Sequence, residues 1–384
     1  MARLGDLCCF INGDRGKNYP SQAEISSDGE IPFINAGHIV GGKLDFSDMN
    51  YISEEKYNQL NSGKIQENDI LYCLRGSLGK KAIVKDIPKG AIASSLVIIR
   101  PDIQRLNSDY LFYALESPTV QEQMMQANNG SSQPNLSAKS VSDYTFNLPD
   151  IKEQLVIVSK LAKVNELIAM RKEQLAKLDQ LVKSRFIELF GDTPDEEKKT
   201  MADICKIITD GTHQPPKFTS TGIPFLFVSN IVTNEIHYDA EKFISEETYA
   251  ELIKRTPIAI GDILLSTVGS YGHPAVVKSD KPFCFQRHIA YLKPNADMVN
   301  SEYLRGAILS ADVQRQIDER VKGIAQKTLN LSEIRKLQLP LPSMEQQEQF
   351  AAFVEQTDKS KLAIQYSLNK LELLKKTLMQ QYFG

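Results

Sequence analysis

The sequence is poor in most of the features that would assign a chemistry at a glance. No run of 18 apolar residues occurs, and the opening stretch MARLGDLCCFINGDRGKNYP has no signal-peptide core, so neither a membrane span nor secretion is expected. The five cysteines (Cys8, Cys9, Cys73, Cys205, Cys284) form no C-x-x-C pair. A scattered, odd set argues against zinc and fits buried thiols in a reducing cytosol, so a cytoplasmic location is expected. Charge is nearly balanced, at −3 over 384 residues, and gives no global hint of a nucleic-acid partner. A further scarcity is local. After Pro149, and again after Pro342, about forty residues pass without glycine or proline.

What the sequence does contain is a repeat. Moving forward by 193 residues, NDILYCLRGSLGKKAIV (68–84) meets GDILLSTVGSYGHPAVV (261–277), and DYLFYALES (109–117) meets EYLRGAILS (302–310). GSSQPNLS (130–137) meets GIAQKTLN (323–330), and Leu181, Phe190 and Gly191 meet Leu374, Phe383 and Gly384. With a one-residue shift, IPFINAGHIV (31–40) pairs with IPFLFVSNIV (223–232). Chance produces one such pair but not a series in order at nearly one offset, so the chain reads as two copies, 1–191 and about 194–384.

Each copy divides in two. Its first part alternates short apolar runs with Gly and Pro, which predicts strands and turns, with helices at DYLFYALESPTVQEQMM and EYLRGAILSADVQRQI. Its second part carries apolar residues at steps of three and four: Ile157, Leu161, Val164, Ile168, Leu175, Leu178 and Val182, then Phe350, Val354, Ile364, Leu368 and Leu371. That spacing predicts a long helix of coiled-coil type. Four segments follow: 1–150 and 192–343 as mixed domains, 151–191 and 344–384 as long helices.

The order of these segments resembles the specificity subunit of type I restriction–modification enzymes, over the whole chain. The carrying stretches are NLPDIKEQLVIVSKL (147–161) and LPLPSMEQQEQFAAFV (339–354), the Gly-Ser-x-Gly turns at 76–79 and 269–272, and the closing Phe-Gly. One departure lies at the helix start, where Glu153 is matched by Gln346 and the second copy has its Glu at 345. The resemblance implies an α+β fold with two mixed α/β target-recognition domains, separated by two long antiparallel coiled-coil helices in a pseudo-twofold internal repeat. It implies a non-catalytic subunit that recognises an asymmetric bipartite site in double-stranded DNA, one half per domain. It also implies docking of two methyltransferase subunits on the helices, and through them of restriction subunits, with no membrane partner. No cofactor is expected on this chain; S-adenosylmethionine, ATP and Mg would belong to the partner subunits. A specificity subunit for a fused methylase–nuclease, or a coiled-coil scaffold with two non-DNA ligand-binding domains, are the alternatives.

Base reading needs side chains with paired donors and acceptors on loops or helix ends. Polar positions that differ between the copies are therefore the candidates. In the first copy they are Arg15, Lys17, Asn18, Tyr19, His38, Arg75, Ser77, Lys80, Lys81, Ser94 and Ser95. In the second they are His213, Gln214, Lys217, Asn230, Ser270, Tyr271, His273, Arg287 and His288. Gln133 and Gln326 are shared and are read either as scaffold or as a common backbone contact. Local charge is −4 over 1–150, +3 over 151–191, −2 over 192–343 and zero beyond. Such near-neutral readers are expected to bind DNA weakly without a partner that grips phosphates.

Other chemistries find no support. GSLGKK lacks the first Gly of a Walker A loop, and no Asn-Pro-Pro-Tyr tetrapeptide of an adenine methyltransferase is present. A nuclease built from Asp102, Asp150 and Lys152 would have no counterpart in the second copy, where Asn295, Ser343 and Glu345 stand. The histidines show no metal-ligand spacing. Finally, the copies' equivalence predicts that Gly384 lies near Met1 as Gly191 lies near Met201, so that a chain reopened near 191–194 keeps its function.

Overall fold

The computed structural model describes residues 1–128, 134–191, 193–194, 197–323 and 327–384. Contacts divide the chain into two units, Met1–Arg171 with Ser367–Gly384, and Lys172–Tyr366.

In the first unit a four-stranded antiparallel sheet is formed by β1 (Cys8–Asn12), β2 (Ile70–Cys73), β3 (Lys81–Ile83) and β4 (Leu96–Pro101), in the order β1-β4-β2-β3. A smaller sheet joins Ile31–Ile34 to Tyr51–Ile52 and, in parallel, to Ala91–Ile92. Ala2–Arg3 pairs with Thr145–Phe146. One face of the large sheet is covered by α1 (Ser108–Ala114) and the following helices. The core there joins Leu4, Tyr72, Tyr110 and Leu111 to Ile157 and Leu161 of the long helix α2 (Ile151–Phe190). Strands β2 and β4 are short and buried over most of their length, which is why they read as unbroken apolar runs rather than as alternating ones.

The second unit repeats this plan. Its large sheet has β5 (Cys205–Asp210), β6 (Ile263–Ser266), β7 (Pro274–Val276) and β8 (Ile289–Pro294) in the order β5-β8-β6-β7. Helix α3 (Ser301–Ile308) takes the place of α1, and α4 (Met344–Phe383) that of α2. The offset of 193 residues holds for β2/β6, β3/β7, β4/β8 and the two 40-residue helices. It fails at β1/β5 because the loop that follows spans 13–30 in the first copy and only 211–222 in the second.

Each unit contains the start of one long helix and the end of the other, running antiparallel. In the first, Lys160 Nζ donates to Tyr382 Oη at 3.0 Å and Arg171 Nε to Ser367 Oγ at 3.2 Å, one number falling as the other rises. In the second, Lys361 pairs with Asp179, and Phe186 meets Phe350 edge-on at 5.4 Å between centroids. The Phe-Gly endings have matching places. Phe383 lies 5.0 Å from the ring of Tyr110, and its carbonyl accepts from Thr119 Oγ1 at 3.0 Å. Phe190 lies 5.1 Å from the ring of Tyr303.

The helix starts explain the LPD and LPS stretches. Gln154, fully buried, accepts from Asn107 N–H (2.8 Å) and donates to the carbonyls of Arg105 (3.0 Å) and Pro149 (2.9 Å). Gln347, also fully buried, accepts from Asn300 N–H (2.8 Å) and donates to Met298 (3.1 Å) and Pro342 (2.9 Å). Both amides thus clip a long helix to the N-cap of α1 or α3. The departure at Glu153 and Gln346 is a difference of capping. Asp150 caps α2 by accepting from Glu153 N–H at 2.9 Å, whereas Ser343 and Gln346 cap α4 reciprocally.

Buried acid–base pairs sit at equivalent places below the sheets. Asp69, fully buried, receives two bonds from Arg100 (2.7 and 2.8 Å). Asp262 receives Lys293 Nζ at 3.1 Å and Tyr291 Oη at 2.7 Å. Of the cysteines, Cys73 and Cys284 are buried, Cys8 and Cys205 half-buried and Cys9 exposed; none is in a disulfide. The expectation of buried thiols therefore holds at Cys73 and Cys284, in part at Cys8 and Cys205, and not at Cys9, which lies on β1, a strand at the sheet's edge. No helix among the described residues is long and apolar enough to cross a membrane.

Candidate nucleic-acid interface

At one end of each large sheet, three loops are laced into a platform. In the first unit Leu74 N–H donates to Ser95 O (2.9 Å), Leu136 N–H to Leu74 O (2.8 Å) and Gly76 N–H to Pro134 O (3.2 Å). In the second unit Thr267 N–H donates to His288 O (3.0 Å), Leu329 N–H to Thr267 O (2.8 Å) and Gly269 N–H to Lys327 O (3.2 Å). The two platforms share one backbone pattern. Their Gly-Ser-x-Gly turns require glycine: φ is +78° and +74° at Gly76 and Gly79, and +73° and +80° at Gly269 and Gly272. Gly13 and Gly211 are needed for a different reason. A Cβ would come within 2.7 Å of Ala93 O at the first and 2.2 Å of Phe285 O at the second.

On this shared backbone the side chains differ, except for Ser77 and Ser270, which match. The first platform gathers Arg75 and Ser77, both exposed, with half-buried Ser94 and Ser95. The second gathers His213, Gln214, Ser270 and Arg287, all exposed, with half-buried Tyr271, His273 and His288. Tyr271 Oη donates to Asp318 Oδ1 at 2.9 Å, and His273 Nδ1–H to Asn234 Oδ1 at 3.1 Å. Burial pulls the pKa of His273 below the ordinary 6.5. Burial, then the charge of Arg287, does the same to His288. Both rings are therefore neutral acceptors and donors at pH 7, not cations.

The other candidates lie elsewhere. Arg15 and Lys17 are exposed on the 13–30 loop with Asn18 half-buried beside them, and Lys217 is exposed on the shorter equivalent loop. Tyr19 packs edge-on against Phe33 at 5.6 Å, on the small sheet. His38 is buried, and its Nδ1 accepts from Asn35 N–H at 3.1 Å; burial keeps its pKa low. Asn230 does the same work in the second copy, accepting from Phe227 N–H at 2.9 Å. Lys80 Nζ donates to Ala36 O at 2.7 Å. Lys81, buried, pairs with Glu116 at 3.2 Å and stands 4.4 Å from the centre of the Phe112 ring. His38, Asn230, Lys80 and Lys81 thus each bond to groups within the fold. Gln133 and Gln326 fall outside the described residues.

Two further polar residues of the sheet ends were not legible beforehand. Asp14 accepts from Asn61 N–H at 2.6 Å, tying the 13–30 loop to residue 61. Asp210 accepts from His213 Nε2 at 2.9 Å and also pairs with Arg255. Their signal was the glycine beside each, Gly13 and Gly211, which a single offset of 193 does not bring together. Asp102 and Asp150 serve as local caps, accepting from Gln104 N–H (3.1 Å) and Glu153 N–H (2.9 Å). Among the described residues no group of three His, Cys, Asp or Glu is placed to hold a metal ion.

Two copies of a mixed sheet domain, each with a loop platform of its own side chains and each followed by a long helix, make up the chain. Similarity gives the family: the chain belongs to the type I restriction modification DNA specificity domain family, which matches residues 1–180 and 195–373. It is 20% identical to the MjaVIII specificity subunit of a type I restriction enzyme from Methanocaldococcus jannaschii, over 99% of this chain and 90% of that one. It is 26% identical to the EcoBI specificity subunit from Escherichia coli, over 58% of this chain and 53% of that one. Its fold is similar to the crystal structure of a type I restriction–modification S subunit from M. genitalium, with a TM-score of 0.58, 15% identity, and coverage of 100% and 95%. A second structure, described as the basis of complex assembly and conformational transition of the type I R-M system, matches with a TM-score of 0.58, 18% identity, and coverage of 99% and 96%.

Proposed function

We propose that the chain is the DNA-reading subunit of a type I restriction–modification system and recognises a bipartite, asymmetric target. One half is read by each sheet-end platform, across a fixed gap. The observation that carries this reading is the pair of platforms with one backbone pattern and two sets of side chains. Equivalent scaffolds present equivalent surfaces, and different side chains read different bases. Each long helix has 40 residues. At 1.5 Å per residue that is about 60 Å, enough to fix a gap longer than one DNA turn of about 34–36 Å.

The helices expose apolar side chains along their outer faces, among them Leu155, Val156, Leu181, Leu362 and Leu373. These faces dock the methyltransferase subunits, and S-adenosylmethionine, ATP and Mg act on the partners. The near-neutral recognition regions leave much of the phosphate grip to the methyltransferase. Single-molecule methylome sequencing of the host, with and without this gene, tests the reading. Loss of one split motif with a constant gap is expected; an unchanged methylome refutes it. Gel shifts add a second check, with tight binding expected only when the methyltransferase is present.

A further inference from the structure

One difference between the platforms brings several charged or ring side chains together. Asp210 ends β5 opposite Ala290, and Asn12 ends β1 opposite Val97, the equivalent residue of the neighbouring strand. Arg287 and His288 precede β8 where Ser94 and Ser95 precede β4. The first copy therefore carries three small neutral groups where the second carries a carboxylate, a guanidinium and an imidazole. In the second unit those three side chains border a cleft of about 420 Å³ whose wall also includes Thr267 and Thr328.

The chemistry of the cleft is selective. The Asp210 side chain is 14% exposed and held in place by Arg255 on one oxygen and His213 Nε2 on the other. Each carboxylate oxygen has two lone-pair sites, so each retains an acceptor position. Arg287 is exposed, and its Nε lies 3.4 Å from His288 Nε2. A fixed acceptor and an exposed fork of donors thus border one small cleft. In the major groove a cytosine–guanine pair offers the complement: an N4 amino donor on cytosine, and the O6 and N7 acceptors on guanine that suit a guanidinium. Asn12, Ser94 and Ser95 offer neither a carboxylate nor a guanidinium fork at the equivalent place in the first unit.

We infer that this cleft is a base-pair-reading pocket, in which Asp210 accepts from cytosine N4 and Arg287 donates to O6 and N7 of the paired guanine. His213 and Arg255 act through Asp210 as positioning residues. The inference rests on the DNA-reading function proposed above and names the contact that function would use in one half of the target.

The test compares methylomes of hosts carrying the unaltered chain and a triple variant, Asp210→Asn, Arg287→Ser and His288→Ser. These substitutions install the first copy's residues at equivalent backbone positions, so the platform is retained. One half of the motif is expected to contain a C·G pair that the variant no longer requires. Discrimination there falls roughly ten- to a hundredfold, the range for one bidentate contact, and the other half and the gap stay as they were. An unchanged motif overturns the inference, as does relaxation at an A·T pair. If the triple variant methylates nothing, Arg287→Ala alone decides. A relaxed motif supports the pocket. An unchanged motif, or complete loss in a chain of unaltered melting temperature, overturns it. A host whose methylome does not depend on the unaltered gene refutes the DNA-reading function itself, so the two failures are distinct.

Discussion

Replacing Gln154 by alanine removes the clip between α2 and the start of α1. The amide makes three bonds, to Asn107 N–H and to the carbonyls of Arg105 and Pro149. The glutamine is fully buried, but its partners lie in part-buried surroundings where water can replace it. Each lost bond then costs about 1 kcal/mol rather than the full penalty of a sealed polar group. One methylene adds about 0.8 kcal/mol. The sum is near 4 kcal/mol, or about a thousandfold in the local opening equilibrium at 1.4 kcal/mol per decade. A single melting temperature would mix the two units, so hydrogen exchange read by mass spectrometry is the suitable assay. Slow amides in 105–115 and 149–161 are expected to exchange hundreds of times faster, while those in 290–310 and 343–355 keep their rates. Gln347→Ala is expected to reverse the pattern. Acceleration spread equally over both units, or below about fivefold, would refute the assignment of these glutamines as matched clips.

Asp69 offers a second perturbation: Arg100→Ala leaves its buried carboxylate with Gln66 N–H alone as a strong partner, and about 3 kcal/mol of first-unit stability is expected to be lost in urea melts. A Lys293→Ala loss confined to the second unit is the matching result. The lowered pKa values of His38, His273 and His288 have a defined sign. Between the folded values and 6.5 the unfolded chain binds more protons, so stability is full above about pH 7 and falls as pH drops through the folded values. His273→Gln with His288→Gln is expected to flatten the pH 7.5 to 5.5 decline of the second unit's denaturation midpoint; an equal decline contradicts the assignment. A permuted chain opened at 191–194, with 384 joined to 1 by a short linker, is expected to retain the same methylated motif; a folded permutant with a lost motif contradicts the two-copy equivalence.

The repeat and the long helices were legible because their signals are local. Proline before each helix, glycine after it and apolar steps of three and four need no tertiary knowledge. The N-terminal strands were harder. Unequal loops, 13–30 against 211–222, break the constant offset, so the match of Gly13 with Gly211 emerges only from strand pairing. Reading residues by difference between copies has a physical limit, seen at His38 and Asn230. Their identities differ, yet each closes the same turn by accepting a backbone N–H three residues earlier. A capping acceptor can be an imidazole or an amide, so divergence there has a structural account of its own. At the helix starts the reverse holds: the change from Glu153 to Gln346 looked informative, while the shared Gln154 and Gln347 hold the joint.

The central claim, that each copy reads one half of the target through an equivalent platform, is tested most directly by making the halves identical. A chain in which residues 192–343 are replaced by a second 1–150, with both long helices kept, should methylate a palindromic split motif with the original gap. Its two halves should each match the half that the first copy reads in the unaltered chain. A folded chimera that still methylates the asymmetric motif, or reads a contiguous one, would contradict the account.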